Sequence, residues 1–427
     1  MKYVIFLGDG MADLPTAFPG GKTPLDLANK PHMDRLATTG RLYSVHTVPA
    51  GFTPGSDVAN MAVMGLDPKQ YYSGRSSLEA VSMGVDLKET DLSFRVNLVT
   101  LTGTGALPTC TMADYSAGEI STAEARKLIE FLAAELGSPD GKLYPGVSYR
   151  HCYIKNEGQG GNHLTPPHDI TGRKLDGHLP TGPEGTLLLQ LIEESRRLLK
   201  DHPVNLDRRA RGLNEATALW PWGEGRRPSF PSLQETYGIR GAVISAVDLV
   251  QGIGLCAGLE VIKVPGATGT LTSNFTGKAK AAITALQAGT DFVYLHMEAP
   301  DECGHQGDAA GKVKAIEIID NEVIKPVWDY LEASRQKTGE DYRLLVLPDH
   351  PTPLALQTHT ADPVPAALFD SRTAAAGGGK STASDGETAA FVNYSEQAVQ
   401  RQLQTNPAET AIEAGDLFRH FIRPLAI

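Results

Sequence analysis

The sequence predicts an α/β protein: a mostly parallel sheet flanked by helices, interrupted by an inserted α+β domain. Three observations carry that prediction. Short β-branched runs alternate with helical patterns at the start of the chain and again after about residue 238, as in βαβ units. Between about 93 and 237 the alternation gives way to a different texture. Finally, 427 residues exceed one ordinary core, so two domains are expected. The expected division is 1–92 with 238–427 for the core and 93–237 for the insertion.

Composition narrows the function classes. Hydrophobic residues make up 41% and charged residues 21%, ordinary for a globular chain. The net charge of −11 argues against nucleic acid or an anionic membrane as partner, while leaving room for a local basic pocket. Cys110, Cys152, Cys256 and Cys303 form no CxxC pair, which points to reduced thiols and a cytoplasmic location. Residues 3–7 are too short for a signal-peptide core. The longest apolar region, 241–263, is broken by Asp248, Gln251 and Glu260, so no membrane span is expected.

Taken in order, residues 2–7 form a buried strand ending in Gly8-Asp9-Gly10, which places one carboxylate in a glycine-flanked turn. Asp9 is either a turn aspartate or a ligand. Thr23-Pro24 opens a helix with proline at its first position, and Pro31 opens another that closes near Gly40. A strand over 42–48 leads into a glycine-rich turn, Gly55-Ser56-Asp57, before a helix over 58–64 stopped by Gly65. The Ser56 hydroxyl is either an N-cap or a nucleophile at a helix N-terminus that favours a phosphoryl group. The GxSxG elbow is absent, so this is no Ser-His-Asp hydrolase. Arg75 and Glu79, four apart at a helix start, form a plain ion pair or a clamp on a phosphate.

The insertion has a strand over 94–101 and an amphipathic helix over 121–136 with Ser121 as cap. A Gly-, Pro- and His-rich stretch, 139–185, contains Thr165-Pro166-Pro167-His168-Asp169, and Leu219-Trp220-Pro221-Trp222-Gly223 follows a helix over 185–200. His168 and Asp169 are surface-loop residues or substrate contacts. After 238 come strands at 242–244, 261–264 and 291–296 and helices at 248–256 and 278–287. Ligands of such a sheet gather at the carboxyl ends of its strands.

At one of those ends Asp301 and His305 are spaced to share one face of a helical turn, with Cys303 between them as a small buried residue or a further soft ligand. The alternative is a capped helix with an incidental histidine. A helix over 310–330 carries Lys312, Glu317 and Asp320. The last core strand, 344–347, ends at Pro348-Asp349-His350, with His359 nine residues on. Further along, Gly377-Gly378-Gly379-Lys380-Ser381 is not a P-loop, because Ala374 stands where glycine is needed. Residues 371–389 read as a mobile, low-complexity surface loop.

Asp9, Ser56, Asp301, His305, Asp349, His350 and His359 together make a donor set of oxygens and imidazoles. It suits two divalent cations, Mn²⁺ or Zn²⁺ before Mg²⁺ because of the three histidines. Two such cations about 4 Å apart can activate an oxygen nucleophile and steady a leaving oxygen.

These segments resemble the alkaline phosphatase superfamily, and more closely the archaeal-type cofactor-independent phosphoglycerate mutases. The likeness runs through the strand-Gly8-Asp9-Gly10 start, Thr23-Pro24-Leu25-Asp26, Gly55-Ser56-Asp57, Gly74-Arg75, Thr165-Pro166-Pro167-His168-Asp169, Gly266-Ala267-Thr268-Gly269, Asp301-Glu302-Cys303-Gly304-His305 and His359-Thr360-Ala361-Asp362-Pro363-Val364-Pro365. The resemblance implies an alkaline-phosphatase-like core with a cap that closes over the glycerate. It implies phosphorylation of Ser56, one metal on Asp9, Ser56, Asp349 and His350, and a second on Asp301, His305 and His359. Arg75, His168, Asp169 and Lys312 are then substrate contacts.

The implied reaction interconverts 3- and 2-phosphoglycerate in glycolysis and gluconeogenesis without 2,3-bisphosphoglycerate, in a monomer or small homo-oligomer. Ala117-Gly118-Glu119-Ile120 departs from the family, which often has arginine at the third place. The Trp220-Pro221-Trp222-Gly223 and Pro348-Asp349-His350-Pro351-Thr352-Pro353 wording is similar to a bacterial subgroup proposed to be homoserine kinases. A homoserine kinase-like phosphotransferase of threonine biosynthesis, or a metal-dependent phosphatase, is therefore the alternative.

Overall fold

In the computed structural model, which describes residues 1–375 and 392–423, packing divides the chain into two units. Unit 1 is Met1–Tyr72 with Phe230–Ile427, and unit 2 is Ser73–Ser229. Along the chain the strands are β1 Lys2–Gly8, β2 Arg41–His46, β3 Leu92–Thr102, β4 Thr111–Asp114, β5 Gly141–Tyr144, β6 Arg150–Lys155, β7 Ala218–Gly225, β8 Gly241–Ile244, β9 Glu260–Val261, β10 Phe292–Met297, β11 Tyr342–Leu347, β12 Val364–Asp370 and β13 Ala411–Glu413.

Unit 1 is built on the sheet β13-β2-β12-β11-β1-β10-β8-β9. Among these strands β12 alone runs against its neighbours, β11 and β2; every other pairing is parallel. The central strands are apolar on both faces, as a parallel sheet covered on both sides requires. Val4 and Phe6 of β1 join Val293 and Leu295 of β10 and Leu344 and Val346 of β11 in one core with the helical Ala282, Ile316 and Val327. Ile5 and Leu7, on the opposite face, are just as buried. Register then fixes the site. Leu7 lies opposite His296 on one side and Leu347 on the other, so β1, β10 and β11 leave the sheet side by side.

Three local expectations change. The strand expected over 261–264 shrinks to β9, because β8 offers it pairing only at Ala242 and Val243. The helix expected over 310–330 is three pieces: Ala309–Ile318, a π turn over Ile319–Ile324, and Lys325–Thr338. Pro326 near the start of the third piece has no N–H for the helical ladder, which favours a local rewinding. The π turn also aims Asp320 at the neighbouring helix Pro31–Thr39, where it accepts the N–H groups of His32 and Met33 and replaces the cap that Lys30 lacks. Lastly, the stretch expected to be a mobile loop over 371–389 begins as the helix Ser371–Ala375, docked by the Ser371 hydroxyl accepting the Tyr342 N–H. Its remainder, with Gly377-Gly378-Gly379-Lys380-Ser381, lies outside the described residues.

Unit 2 is an α+β body whose spine is β3, paired antiparallel with β6, β7 and β4. Helices Thr122–Glu135 and Gly185–Leu199 bury Leu128, Leu132, Leu188 and Leu191 against Phe94, Val96 and Leu98 of that strand. Ser121 caps the first of them by accepting the Glu124 N–H. The boundary expected at 92 falls at Tyr72/Ser73, and the one expected at 237 falls at Ser229/Phe230. Helix Arg75–Ser82 packs Ala80 on Cys152 and Ile154, and its Ser76 hydroxyl contacts that of Ser93, so it belongs with β3 and β6. Among the described residues no helix is long and apolar enough to cross a membrane.

One buried histidine in unit 2 makes stability depend on pH. His151 accepts the Gly146 N–H at Nδ1, while its Nε2 has no partner among the described residues. Burial, aided by Arg150, pushes its pKa down to about 3 from 6.5. The unfolded chain therefore takes up this proton first, and stability drains away as pH falls below 6.5. His151→Asn keeps an acceptor near Nδ1 and cannot titrate. Its Tm, followed by calorimetry, should fall less between pH 7.5 and pH 5 than that of the parent protein.

Candidate active site

The three neighbouring strand ends deliver their side chains to one place in unit 1. Asp9 follows β1, Asp349 and His350 follow β11, and the helix Ala299–Gln306 after β10 carries Asp301 and His305 on one face. His359 returns from the loop before β12. Asp9, Asp349 and His350 offer donor atoms within 4.8 Å of one another, and so do Asp301, His305 and His359. The two groups touch: the His350 ring stacks on His359 with centroids 3.9 Å apart. Gly10 makes the convergence possible. Its φ of +59° suits glycine, and a Cβ there would lie 2.5 Å from Thr352 Oγ1 and 2.6 Å from Asp301 Oδ1.

Ser56 opens the helix Ser56–Val63, and Gly55, not Ser56, is its N-cap. The hydroxyl is thus not spent on capping. Its Oγ lies 3.1 Å from His350 Nε2, beside the first group. All seven residues singled out as metal donors therefore meet in unit 1.

Charge at this place is one-sided. Asp9 is 1% exposed, Asp349 and His350 0%. Burial, then the Asp349, Asp301 and Glu298 charges, raise the Asp9 carboxyl well above its usual range. Burial also works against ionised Asp301, but hydrogen bonds from His305 and His359 overcome it and hold that carboxyl well below the usual range. The same bond pushes His305 up to about 9.

The donor set fits two cations on several counts. Asp9 Oδ1 is a buried oxygen with no hydrogen-bond partner among the described residues. His305 and His359 bring their Nε2 atoms to 2.9 Å from each other, each also within 3.4 Å of an Asp301 oxygen. His305 Nδ1 lies 3.0 Å from the Gln357 carbonyl, which accepts its proton and leaves Nε2 the outward donor atom.

Unit 2 holds the other residues of interest. Arg75, Arg95, Arg150, Tyr149, His168 and Trp222 help line a cavity of about 330 Å³, and no carboxylate among the described residues lines it. Glu79 pairs with Arg75 at 2.7 Å and with Arg95 at 3.0 Å, so the Arg75–Glu79 spacing is an ion pair extended by a second guanidinium. Arg95 lies 4.2 Å over the Trp222 ring, and His168 packs edge-on against the same ring. Asp169 does not line the cavity and is 60% exposed. Lys312 is a correction. It is 0% exposed in unit 1, and its three protons go to Asp13 and the Ala12 and Thr352 carbonyls, leaving none for a substrate.

A family profile described as 2,3-bisphosphoglycerate-independent phosphoglycerate mutase matches residues 37–205. A relative from Geobacter sulfurreducens, named a probable 2,3-bisphosphoglycerate-independent phosphoglycerate mutase, is 51% identical over 373 residues, covering 87% of this chain and 92% of its own. The chain belongs to the 2,3-bisphosphoglycerate-independent phosphoglycerate mutase family. A Methanothrix thermoacetophila relative bearing that family name is 49% identical over 371 residues, covering 87% of this chain and 91% of its own. The solved structure of the PH0037 protein from Pyrococcus horikoshii matches with a TM-score of 0.78 at 26% identity, over 100% of this chain and 98% of that one.

In this mutase-family chain, sequence reasoning missed the residues that hold the donors. His296 places Nε2 3.0 Å from Asp9 Oδ2, and its Nδ1 lies 3.2 Å from Ser245 Oγ. Thr352 donates to Asp301 and lies 3.3 Å from His350 Nδ1, so it touches both groups. Asn60 touches Ser56 and Asp349. No motif marks these residues; His296 alone had a signal, as a polar side chain at the end of an apolar strand.

With Asp9 and His305 both shifted toward their protonated forms, the metal-free mutase-family protein carries protons that cations must displace. Titration with Mn²⁺ at pH 7 should release protons, the one on His305 among them. Calorimetry in two buffers of different ionisation enthalpy measures this, and apparent affinity should rise with pH. A heat of binding independent of buffer would contradict it.

Proposed function

We propose that the protein interconverts 3-phosphoglycerate and 2-phosphoglycerate through a phosphoserine at Ser56. The observation that carries this is the uncapped Ser56 hydroxyl at a helix N-terminus, 3.1 Å from His350 and beside two groups of buried carboxylates and imidazoles. Family membership and the names of the Geobacter and Methanothrix relatives support it.

Asp9, Asp349, His350 and Ser56 would hold one divalent cation and Asp301, His305 and His359 the other, and when bound these supply positive charge to the phosphoryl oxygens and to the serine oxygen. Mixed oxygen and imidazole donors favour Mn²⁺ or Zn²⁺. Ser56 Oγ gives up its proton and forms a bond to phosphorus as the bond from phosphorus to the 3-oxygen breaks, and that oxygen takes up a proton. The start of helix Ser56–Val63 favours the anion at that point, through the Ser56 and Asp57 N–H groups, since Asp57 Oδ1 accepts that of Val58. The 2-hydroxyl then attacks the phosphoserine and loses its proton, and Ser56 Oγ leaves and takes up a proton, which restores the hydroxyl. Burial of Asp9, Asp349 and His350 keeps bulk water from that side, which disfavours hydrolysis of the phosphoserine.

We infer that the cavity of unit 2 is an anion site. Its three arginines attract an anion, and Glu79 is already shared between two of them. An amino acid such as homoserine would bring an ammonium group to a cavity with arginines and no lining carboxylate, which favours a hydroxy acid. The free thiols Cys110, Cys152, Cys256 and Cys303 are in keeping with a reducing, cytoplasmic setting.

Phosphorus NMR of the Mn²⁺-loaded protein with 3-phosphoglycerate should show 2-phosphoglycerate growing in. Release of inorganic phosphate alone would replace the mutase with a phosphatase, and phosphorylation of homoserine by ATP without mutase activity would replace it with a kinase. Ser56→Ala should abolish transfer while metal content stays at about two per chain. Arg75→Gln should raise KM by about 10- to 100-fold, the worth of one charge-assisted hydrogen bond, with a smaller effect on kcat.

A further inference from the structure

Three hydrogen-bond donors hold Asp349. Its Oδ1 accepts the N–H groups of Gly10 at 3.1 Å and His350 at 2.9 Å. Its Oδ2 accepts the side-chain amide of Asn60 at 2.8 Å. The other proton of that amide goes to the Ser56 carbonyl, also at 2.8 Å. Asn60 Oδ1 in turn accepts the Tyr294 hydroxyl at 2.7 Å. Asn60 and Tyr294 are both 0% exposed. The partners fix the amide orientation, because a carboxylate and a carbonyl cannot donate and must face the NH₂ group.

We propose that Asn60, braced by Tyr294, is a positioning residue that ties the backbone of Ser56 to the carboxylate of Asp349. One planar amide spans the two, so nucleophile and donor cannot move independently. Tyr294 stands on β10, the strand next to β1, and anchors the amide to the sheet rather than to its own helix. The amide is neutral, so it orients Asp349 without cancelling the negative charge a cation needs. Aspartate at position 60 would set a second carboxylate against Asp349, and alanine would free both partners. This proposal rests on the reading of Ser56 as nucleophile and Asp349 as cation donor.

The test compares the parent protein with Tyr294→Phe and Asn60→Ala. Mn²⁺ binding is measured by calorimetry, the Co²⁺-substituted proteins by visible absorption, and turnover by kcat and KM. Both variants should bind one of the two cations about 10- to 100-fold more weakly and the other as before, with an altered Co²⁺ spectrum. Their kcat should fall by about the same factor while KM stays within about twofold. Tyr294→Phe keeps the ring and its packing, so it decides the matter if Asn60→Ala does not fold. Unchanged cation binding, or an equal loss at both cations, overturns the proposal, as does kcat equal to the parent's. If the parent itself does not interconvert the phosphoglycerates, the functional reading fails, and the one-cation loss of affinity still decides whether Asn60 positions Asp349.

Discussion

The burial of three carboxyl groups at one place, beyond the ends of adjacent parallel strands, is the constraint on which unit 1 depends. Asp9, Asp349 and Asp301 are brought together because β1 lies between β11 and β10 in parallel register. Burial of like charges is costly, on the order of several kcal/mol per ion after relaxation. The chain tolerates this only because the surrounding packing leaves the carboxylates nowhere to go. Gly10 has no room for a Cβ, and the strands below it are fully buried. A cluster held apart from water in this way is prepared for cations before any arrive.

The supports around it share a property: each is neutral or already balanced. His296 is kept uncharged mainly by burial, which pushes its pKa down to about 3, so it supports Asp9 as a neutral hydrogen-bond partner. Asn60 donates to Asp349 as an amide, and Thr352 donates to Asp301 as a hydroxyl. Lys312 carries a charge, but Asp13 cancels it at 2.9 Å, and its other protons hold the backbone at Ala12 and Thr352. The donors are thereby oriented while their net charge remains for metal.

The cavity of unit 2 collects the opposite sign. The unit's β3-centred sheet presents Arg95 between Glu79 and the Trp222 face, with Arg75 and Arg150 lining the same cavity. A guanidinium stacked on an indole and shared with one carboxylate keeps donors to spare for an anion. Unit 1 thus gathers carboxylates and imidazoles, and the cavity of unit 2 gathers guanidinium groups.

The sequence by itself determined the strands and the donors that end them. Apolar runs at 2–7, 291–296 and 344–347 are legible because buried parallel strands need no polar face, and Asp9, Asp301, His305, Asp349 and His350 stand just beyond them. Helix pieces were less legible where a distant partner decides: Asp320 caps a helix nearly three hundred residues away, and the π turn serves that contact. Lys312 misled for the same reason, since a lysine on a helix says nothing of the three acceptors that surround it. That Asn60, Thr352 and His296 hold these donors, only the tertiary structure decided. These residues lie on different segments and carry no periodic or motif signal; they meet because strand order and register place β11, β1 and β10 side by side.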